Sequence, residues 1–509
     1  MSDTDQAIRD VVKGAGVVYI GLFLELLIAF VAQVLAARYL SVSDFGGITT
    51  GTALLNVFSI AGGLGLAAGL TRYLPRVDDK EKRSLATTAV ITTSVVSFTL
   101  GAVVSFNATF IAREVFGDGT VTSSIRIFGA AIPFAALLNT AIGGIRGQKQ
   151  SLYQVYVKNF LHPVVRFLFI IGAITYGFGQ SGLASAYAAP YVISAILALL
   201  LLYRSLPRSS FSLNSRLTKN VASYSLPFTI TSVAGFVYRS IDIFLILHFL
   251  GSFAVGVYGV AYAATHFMRM FSTAFNFLGA PVASDLEHGG DVDEVIHIFQ
   301  SLSRWLVIGS VCMLVPLGVF SGDFISIVYQ SKYDSGQFTL TILAVGFAVG
   351  NVLGIHGPII QALGYSRVLM LNSIAAAVSN IILNIVLIPK FGISGAAVAT
   401  VFAYLLRDGL ATIEVRYYLG TTSIGWSTLG PTILSVPFLG GVSLFIAPAI
   451  PGTFLWVLGI SGVLTFLYGS GVLLMFGLSE TEVMIIRSAE DKYNISLGPI
   501  NTIIDILSK

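Results

Sequence analysis

The sequence predicts an all-α integral membrane protein with fourteen transmembrane helices, arranged as two six-helix lobes related by a parallel pseudo-twofold repeat plus two extra C-terminal helices. Three observations predict it: an apolar composition, a succession of apolar runs of spanning length, and two self-similar segments at nearly one offset. The composition already departs from soluble proteins, which carry about 25% charged residues. Here 11% of 509 residues are charged and 55% are hydrophobic, with a mean hydropathy of +0.84. The single cysteine, Cys312, excludes an internal disulfide and a cysteine-ligated metal. A net charge of +4 says little, because the position of each charge matters more than the sum.

A run of about 20 apolar residues can cross the hydrocarbon core. Fourteen such runs centre on residues 14–38, 46–70, 85–111, 124–145, 160–178, 183–203, 221–249, 254–280, 304–321, 337–361, 368–388, 394–418, 429–449 and 453–477. All are expected to be helical, since lipid offers no water to an open backbone. The first run is long enough to span and lacks a cleavage site, so no removable signal peptide is expected.

Positive charge sets the expected orientation. Arg72, Arg76, Lys80, Lys82 and Arg83 follow span 2; Arg146, Lys149 and Lys158 follow span 4; Arg204, Arg208, Arg216 and Lys219 follow span 6. The opposite loops hold only scattered cations, Arg113, Arg126, Lys332 and Lys390. Even-numbered loops are therefore expected to be cytoplasmic, with both termini cytoplasmic in a multi-pass protein of the cell membrane. The stretch PINTIIDIL at 499–507 is expected to lie on the membrane surface as a short helix.

LAARYLSVSDFGGI at 35–48 aligns with ILHFLGSFAVGVY at 246–258, placing Leu40 on Leu250 and Gly46 on Gly256, 210 residues apart. FGQSGLASA at 178–186 aligns with FGISGAAVA at 391–399, 213 residues apart. Two matches at nearly one offset point to duplication of a six-span unit. An even number of spans makes the copies parallel, with the substrate path expected between them. The expected divisions are 1–220 for spans 1–6, 221–420 for spans 7–12, and 421–509 for spans 13–14 and the tail.

Several of these stretches, taken in order, resemble a known family: ARYLSVSDFGGI followed by LTRYLP, SYSLPF followed by IDIFLILHFLGSFAVGVYGVA, and LIPKFGISGAAVAT. The set resembles the Wzx-like polysaccharide and oligosaccharide flippases of the MOP superfamily, which also holds the MATE exporters and the lipid II flippases. It covers spans 1 to 12. The resemblance implies a MATE-like fold working by alternating access. It also implies a cargo: a sugar or oligosaccharide linked through phosphate or pyrophosphate to a polyprenyl or dolichyl lipid, moved outward for polysaccharide or glycoprotein assembly.

The residues that carry the chemistry are the charges inside spans. GFVYRSIDIFLIL at 235–247 puts Arg239 and Asp242 on one face of span 7. His266 and Arg269 repeat the spacing in span 8, Arg407 and Asp408 sit together in span 12, Glu25 lies in span 1 and Arg166 in span 5. Such groups cost several kcal/mol in lipid and usually face an interior or water. Arg239, Arg269 and Arg407 are the candidate binders of an anionic headgroup, because guanidinium stays charged and offers phosphate a planar fork. Glu25, Asp242, Asp408 and His266 are candidate salt-bridge partners or sites of coupling to H+ or Na+. The plainer alternative is structural pairing, Arg239 with Asp242 above all, and a histidine hydrogen-bonded within its bundle. Arg407 and Asp408 point about 100° apart on a helix, so they are not expected to share a face. Arg166 is expected near the cytoplasmic end of span 5, where it can snorkel. Pro227, three turns before Arg239, is a candidate bend.

Other patterns lack their context. DVD at 291–293 imitates a metal-holding DxD, but its loop, 281–303, is too short for a catalytic domain. GLGLAA at 63–68 has no preceding strand. No Walker A motif is present. Neither metal nor organic cofactor is expected, nor nucleic acid; the expected partners are the lipid-linked saccharide, membrane lipids and glycosyltransferases of the same pathway. A MATE-like drug or cation antiporter is the first rival, but it would want an acid-lined site. A membrane-embedded glycan polymerase or transferase is the second, but it would want a large extramembrane loop.

Overall fold

The computed structural model describes residues 24–208, 215–269, 272–273, 275, 292–353, 355–421, 424–446, 454–478 and 483. The start of span 1, most of the end of span 8, Asp291 of the DVD triplet and the 499–507 stretch lie outside them. Every regular element among the described residues is a helix. Ten of these helices are long and apolar enough to cross a membrane. Two of the ten are pairs of helices joined across a glycine: Ser215–Ala264 breaks at Gly251 (φ 80°) and Ser366–Leu419 at Gly392 (φ 60°). Glycine is needed at both, since a Cβ disfavours positive φ. Both breaks fall where the sequence ends one span and begins the next. The protein is a multi-pass membrane protein.

The chain forms two compact units, Met1–Gly259 and Val260–Lys509. In the first, Thr122–Gly147 is the central helix and packs on Val42–Gly63, Asp79–Phe106 and Gly179–Ser205. Its small residues explain its position. Where lipid supplies no hydrophobic drive between helices, close backbone approach and interhelical hydrogen bonds do the work. A Cβ on Gly147 would stand 2.6 Å from the Leu70 carbonyl oxygen, so only glycine fits there. The buried hydroxyls of Thr93 and Thr140 meet at 3.1 Å between two of these helices, a bond worth about 0.6 kcal/mol in a membrane protein.

The helix ends of the first unit gather in two groups. At one end of the first unit, His248 Nδ1 lies 3.0 Å from the Val115 carbonyl and Gln180 reaches Ser124 at 3.4 Å, joining the loops after spans 3, 5 and 7. At the other, Arg72 stacks 4.2 Å from the Tyr224 ring and Arg83 5.6 Å from Tyr203, joining the loops after spans 2 and 6. The Val42–Gly63 helix starts at Ser41, whose side chain accepts the Asp44 amide at 3.1 Å. Such a cap contributes about 1 kcal/mol.

In the second unit, Val292–Leu314 packs on Gln337–Val352, Trp426–Gly441 and Phe454–Phe476, and Gln337–Val352 packs on Ser366–Leu419. Two boundaries differ from the sequence reading. The helix expected from residue 304 begins at Val292, because its polar first turns are helical although not apolar. The run 337–361 is not one helix: it stops at Val352 and resumes as Gly357–Ala362, with Pro358 in the first turn, where a missing amide costs nothing.

Candidate functional site

The predicted site residues fall into both units. In the second, Arg269 donates from Nη1 to the Tyr262 hydroxyl at 2.9 Å, and its guanidinium lies 4.3 Å from the Tyr262 ring centroid and 5.7 Å from that of Phe347. Phe347 in turn meets Tyr404 edge to face at 5.0 Å, and Tyr404 carries the Arg407 guanidinium at 5.4 Å. Helices 252–264, Gln337–Val352 and Ser366–Leu419 thus bring Arg269 and Arg407 onto one aromatic chain, Tyr262–Phe347–Tyr404. Ring faces are electron-rich, and each arginine so held contributes about 0.5–2 kcal/mol while keeping its fork charged. Ser272 anchors this region by donating to Asn351 Oδ1 at 2.6 Å, and Asn351 donates to Ser310 at 2.7 Å.

Arg407 corrects one expectation. Its Nε and Nη2 donate to Asp408 Oδ1 at 2.8 and 2.6 Å. Adjacent side chains leave a helix in different directions, but the long arginine stem swings round to reach its neighbour. His266 Nδ1 lies 3.1 Å from the Ala263 carbonyl one turn back.

In the first unit, Asp242 is buried and takes the Tyr258 hydroxyl on Oδ2 and the Ile243 amide on Oδ1 at 2.9 Å. Arg239 is exposed, and its Nη2 would stand 3.4 Å from a Cβ on Gly235. Gly235 is the position that the 210-residue offset read from the sequence pairs with Glu25.

Glu25 itself accepts from Asn159 Nδ2 and lies within electrostatic reach of Lys158 and Arg166. This corrects two expectations about span 5. The helix runs from Leu152 to Thr175, so Lys158 belongs to the span and not to the preceding loop. Arg166 stands near its middle and not at its end, with its guanidinium 5.6 Å from the Tyr187 ring. Sequence reasoning missed Lys158, Asn159, His162, Tyr187 and Tyr191 as site residues. A signal was present: Asn159, His162 and Arg166 recur at helical spacing, as do Tyr187, Tyr191 and Ser194. The structure joins the two faces through His162, 3.2 Å from Ser194 and 4.4 Å from the Tyr191 ring.

A multi-pass helical bundle with arginines seated on aromatic faces inside its spans defines the class, an integral membrane protein with cationic groups inside its helices. The chain belongs to the polysaccharide biosynthesis protein family, whose model matches residues 11–284. It is 27% identical over 279 residues to the probable low-salt glycan biosynthesis flippase Agl15 of Haloferax volcanii, a match covering 52% of this chain and 57% of that protein, less than two thirds of its length. Among solved structures, the lipid II flippase MurJ in an inward closed conformation aligns with a TM-score of 0.70 at 16% identity, over 89% of this chain and 97% of that one. An inward-facing MATE family multidrug resistance transporter of the MOP superfamily aligns at 0.64 and 14% identity, over 80% and 98%. At these identities the likeness is one of fold. The family read from the sequence motifs is borne out.

Proposed function

We propose that the protein is a flippase, not an enzyme, that carries a polyprenyl or dolichyl phosphate- or pyrophosphate-linked sugar or oligosaccharide across the cell membrane by alternating access, for polysaccharide or glycoprotein glycan assembly. Both termini are cytoplasmic in this reading, the two repeats are copies of one six-span unit among fourteen spans, and the drive is an H+ or Na+ gradient. Glycosyltransferases of the same pathway supply the cargo. The observation that carries the proposal is the Arg269–Tyr262–Phe347–Tyr404–Arg407 chain. Arg269 on its aromatic supports, with Arg407 held beside it by Asp408, suits an anionic headgroup better than a cationic drug. The names of the relatives, a glycan biosynthesis flippase and a lipid II flippase, support the same reading.

The test is reconstitution of the full chain in liposomes holding a polyprenyl-phosphate-linked hexose. The sugar in the inner leaflet should become reachable by an impermeant oxidant only where the protein is present. Equal protection with and without protein would defeat the proposal. Faster efflux of a lipophilic cation, with no movement of the sugar, would favour the antiporter.

A further inference from the structure

The Leu152–Thr175 helix carries a polar face that the second-unit arginines do not account for. Residues Val155–Leu161 form a wide, π-type turn, a geometry that is rare and recurs at functional sites because it redirects side chains at a cost in backbone hydrogen bonding. Lys158 and Asn159 sit in that turn, and Arg166 follows two turns later. Asn159 is 3% exposed and gives its Nδ2 to Glu25. Among the described residues its Oδ1 has no hydrogen-bond partner, and neither has the buried Nε of Arg166. One buried acceptor and one buried cationic donor are thus left open on the same face. Buried polar atoms normally find partners, so the pair points to a ligand that offers both an anionic oxygen and a hydroxyl. Charge agrees. Lys158 and Arg166 both act on the single carboxylate of Glu25, and Arg146 adds positive charge beside Lys158. A structural ion pair would balance one to one.

We propose that Lys158, Asn159 and Arg166 form a second station for a sugar joined to phosphate, in which the two cations hold phosphate oxygens, Asn159 Oδ1 accepts a sugar hydroxyl, and the Glu25 carboxylate, held by Asn159, offsets the charge of the cations between cargoes. Among the described residues Glu25 makes its hydrogen bond to Asn159 and pairs directly with neither cation, so its negative charge competes with arriving phosphate through the field and not by contact. The inference rests on the flippase reading and adds a place where cargo binds within the first unit alone.

Binding to the detergent-solubilised full chain tests it, with a short-chain polyprenyl-phosphate-linked hexose as probe and phosphatidylglycerol and phosphate-free polyprenol as the other arms. Removing a competitor should tighten binding, so Glu25→Gln should bind the hexose probe several-fold more tightly. Arg166→Gln should bind it about tenfold more weakly, the scale of a lost charge-assisted hydrogen bond, and Arg166→Lys should recover part of that. Asn159→Ala should weaken the sugar-bearing probe and leave phosphatidylglycerol unchanged. Unchanged or weaker binding in a folded Glu25→Gln protein would overturn the station, as would equal tightening for phosphatidylglycerol, which would mark a site for bilayer lipid. If the wild type binds the hexose probe and Arg269→Ala weakens it while both span 5 variants leave it alone, the second station alone fails. If the wild type binds none, the flippase reading fails with it.

Discussion

Gly46 and Gly256 each press against the other's helix in a reciprocal contact. A Cβ on Gly46 would run into the Ser252 carbonyl oxygen, and one on Gly256 into that of Val42. Val42 and Ser252 are separated by the same 210 residues as Gly46 and Gly256. Close crossings of this kind use small residues because backbone packing replaces the hydrophobic drive. Gly46→Ala and Gly256→Ala should each destabilise the protein by about 1–3 kcal/mol, the cost of overpacking, as read by unfolding in detergent. Gly63→Ala, where a Cβ meets nothing within 4 Å, should stay near wild type. An equal loss at Gly63 would contradict the assignment.

Asp118 caps the helix that follows Gly251: its Oδ2 accepts the Ser252 amide at 2.7 Å, and its Oδ1 accepts the Thr120 amide at 2.9 Å. Burial pushes this loop carboxyl up, but the hydrogen bonds from Thr120 and Ser252 outweigh it and hold the group below the usual carboxylate range. A depressed folded pKa gives stability that is present above the unfolded value, about 4, and is lost as pH falls through the folded one. The unfolding midpoint should therefore drop as pH is lowered below about 4, and Asp118→Asn should flatten that dependence. Asp118→Ala should cost about 1 kcal/mol at neutral pH.

Arg304 is 3% exposed and donates from Nη2 to the Gly477 carbonyl at 2.6 Å, at the end of the Phe454–Phe476 helix. It holds a helix end, and no cargo role is assigned to it. Arg304→Met should lower stability by about 2 kcal/mol, the scale of a hydrogen bond to a charged group. Translocation per folded molecule should stay at the wild-type rate. A rate loss beyond the loss of folded protein would place Arg304 among the cargo-binding residues.

Phe347 supports both ends of the aromatic chain. Phe347→Leu keeps an apolar side chain but removes the ring face near Arg269 and the edge contact with Tyr404. Headgroup affinity should fall about two- to thirtyfold, the range of a cation–π contact in a partly desolvated place, with little change in unfolding midpoint. Titration of each variant with the polyprenyl-phosphate-linked hexose measures it.

The sequence showed most of the fold because spanning length and apolarity are local properties. The breaks at Gly251 and Gly392 fell where two apolar runs met a residue able to take positive φ. Reading failed where polar residues lay inside spans. Lys158 and Asn159 fell just before the expected start of span 5 at residue 160, since an apolar window ends at the first cation, and the wide turn that carries them has no apolar signature. The arginines of span 8 and span 12 were legible as costly charges, but their aromatic supports were not, because Tyr262, Phe347 and Tyr404 come from three distant segments. The Arg407–Asp408 pair was missed because face arguments fix where a Cβ points, not where a long side chain ends.

The most direct measurement is movement of a polyprenyl-phosphate-linked hexose across liposomes by Arg239→Ala and Arg269→Ala proteins of verified fold and orientation. Removing one charge-assisted contact to phosphate should slow transfer at least about tenfold in each. Transfer at the wild-type rate in both would contradict the claim that these arginines carry the headgroup.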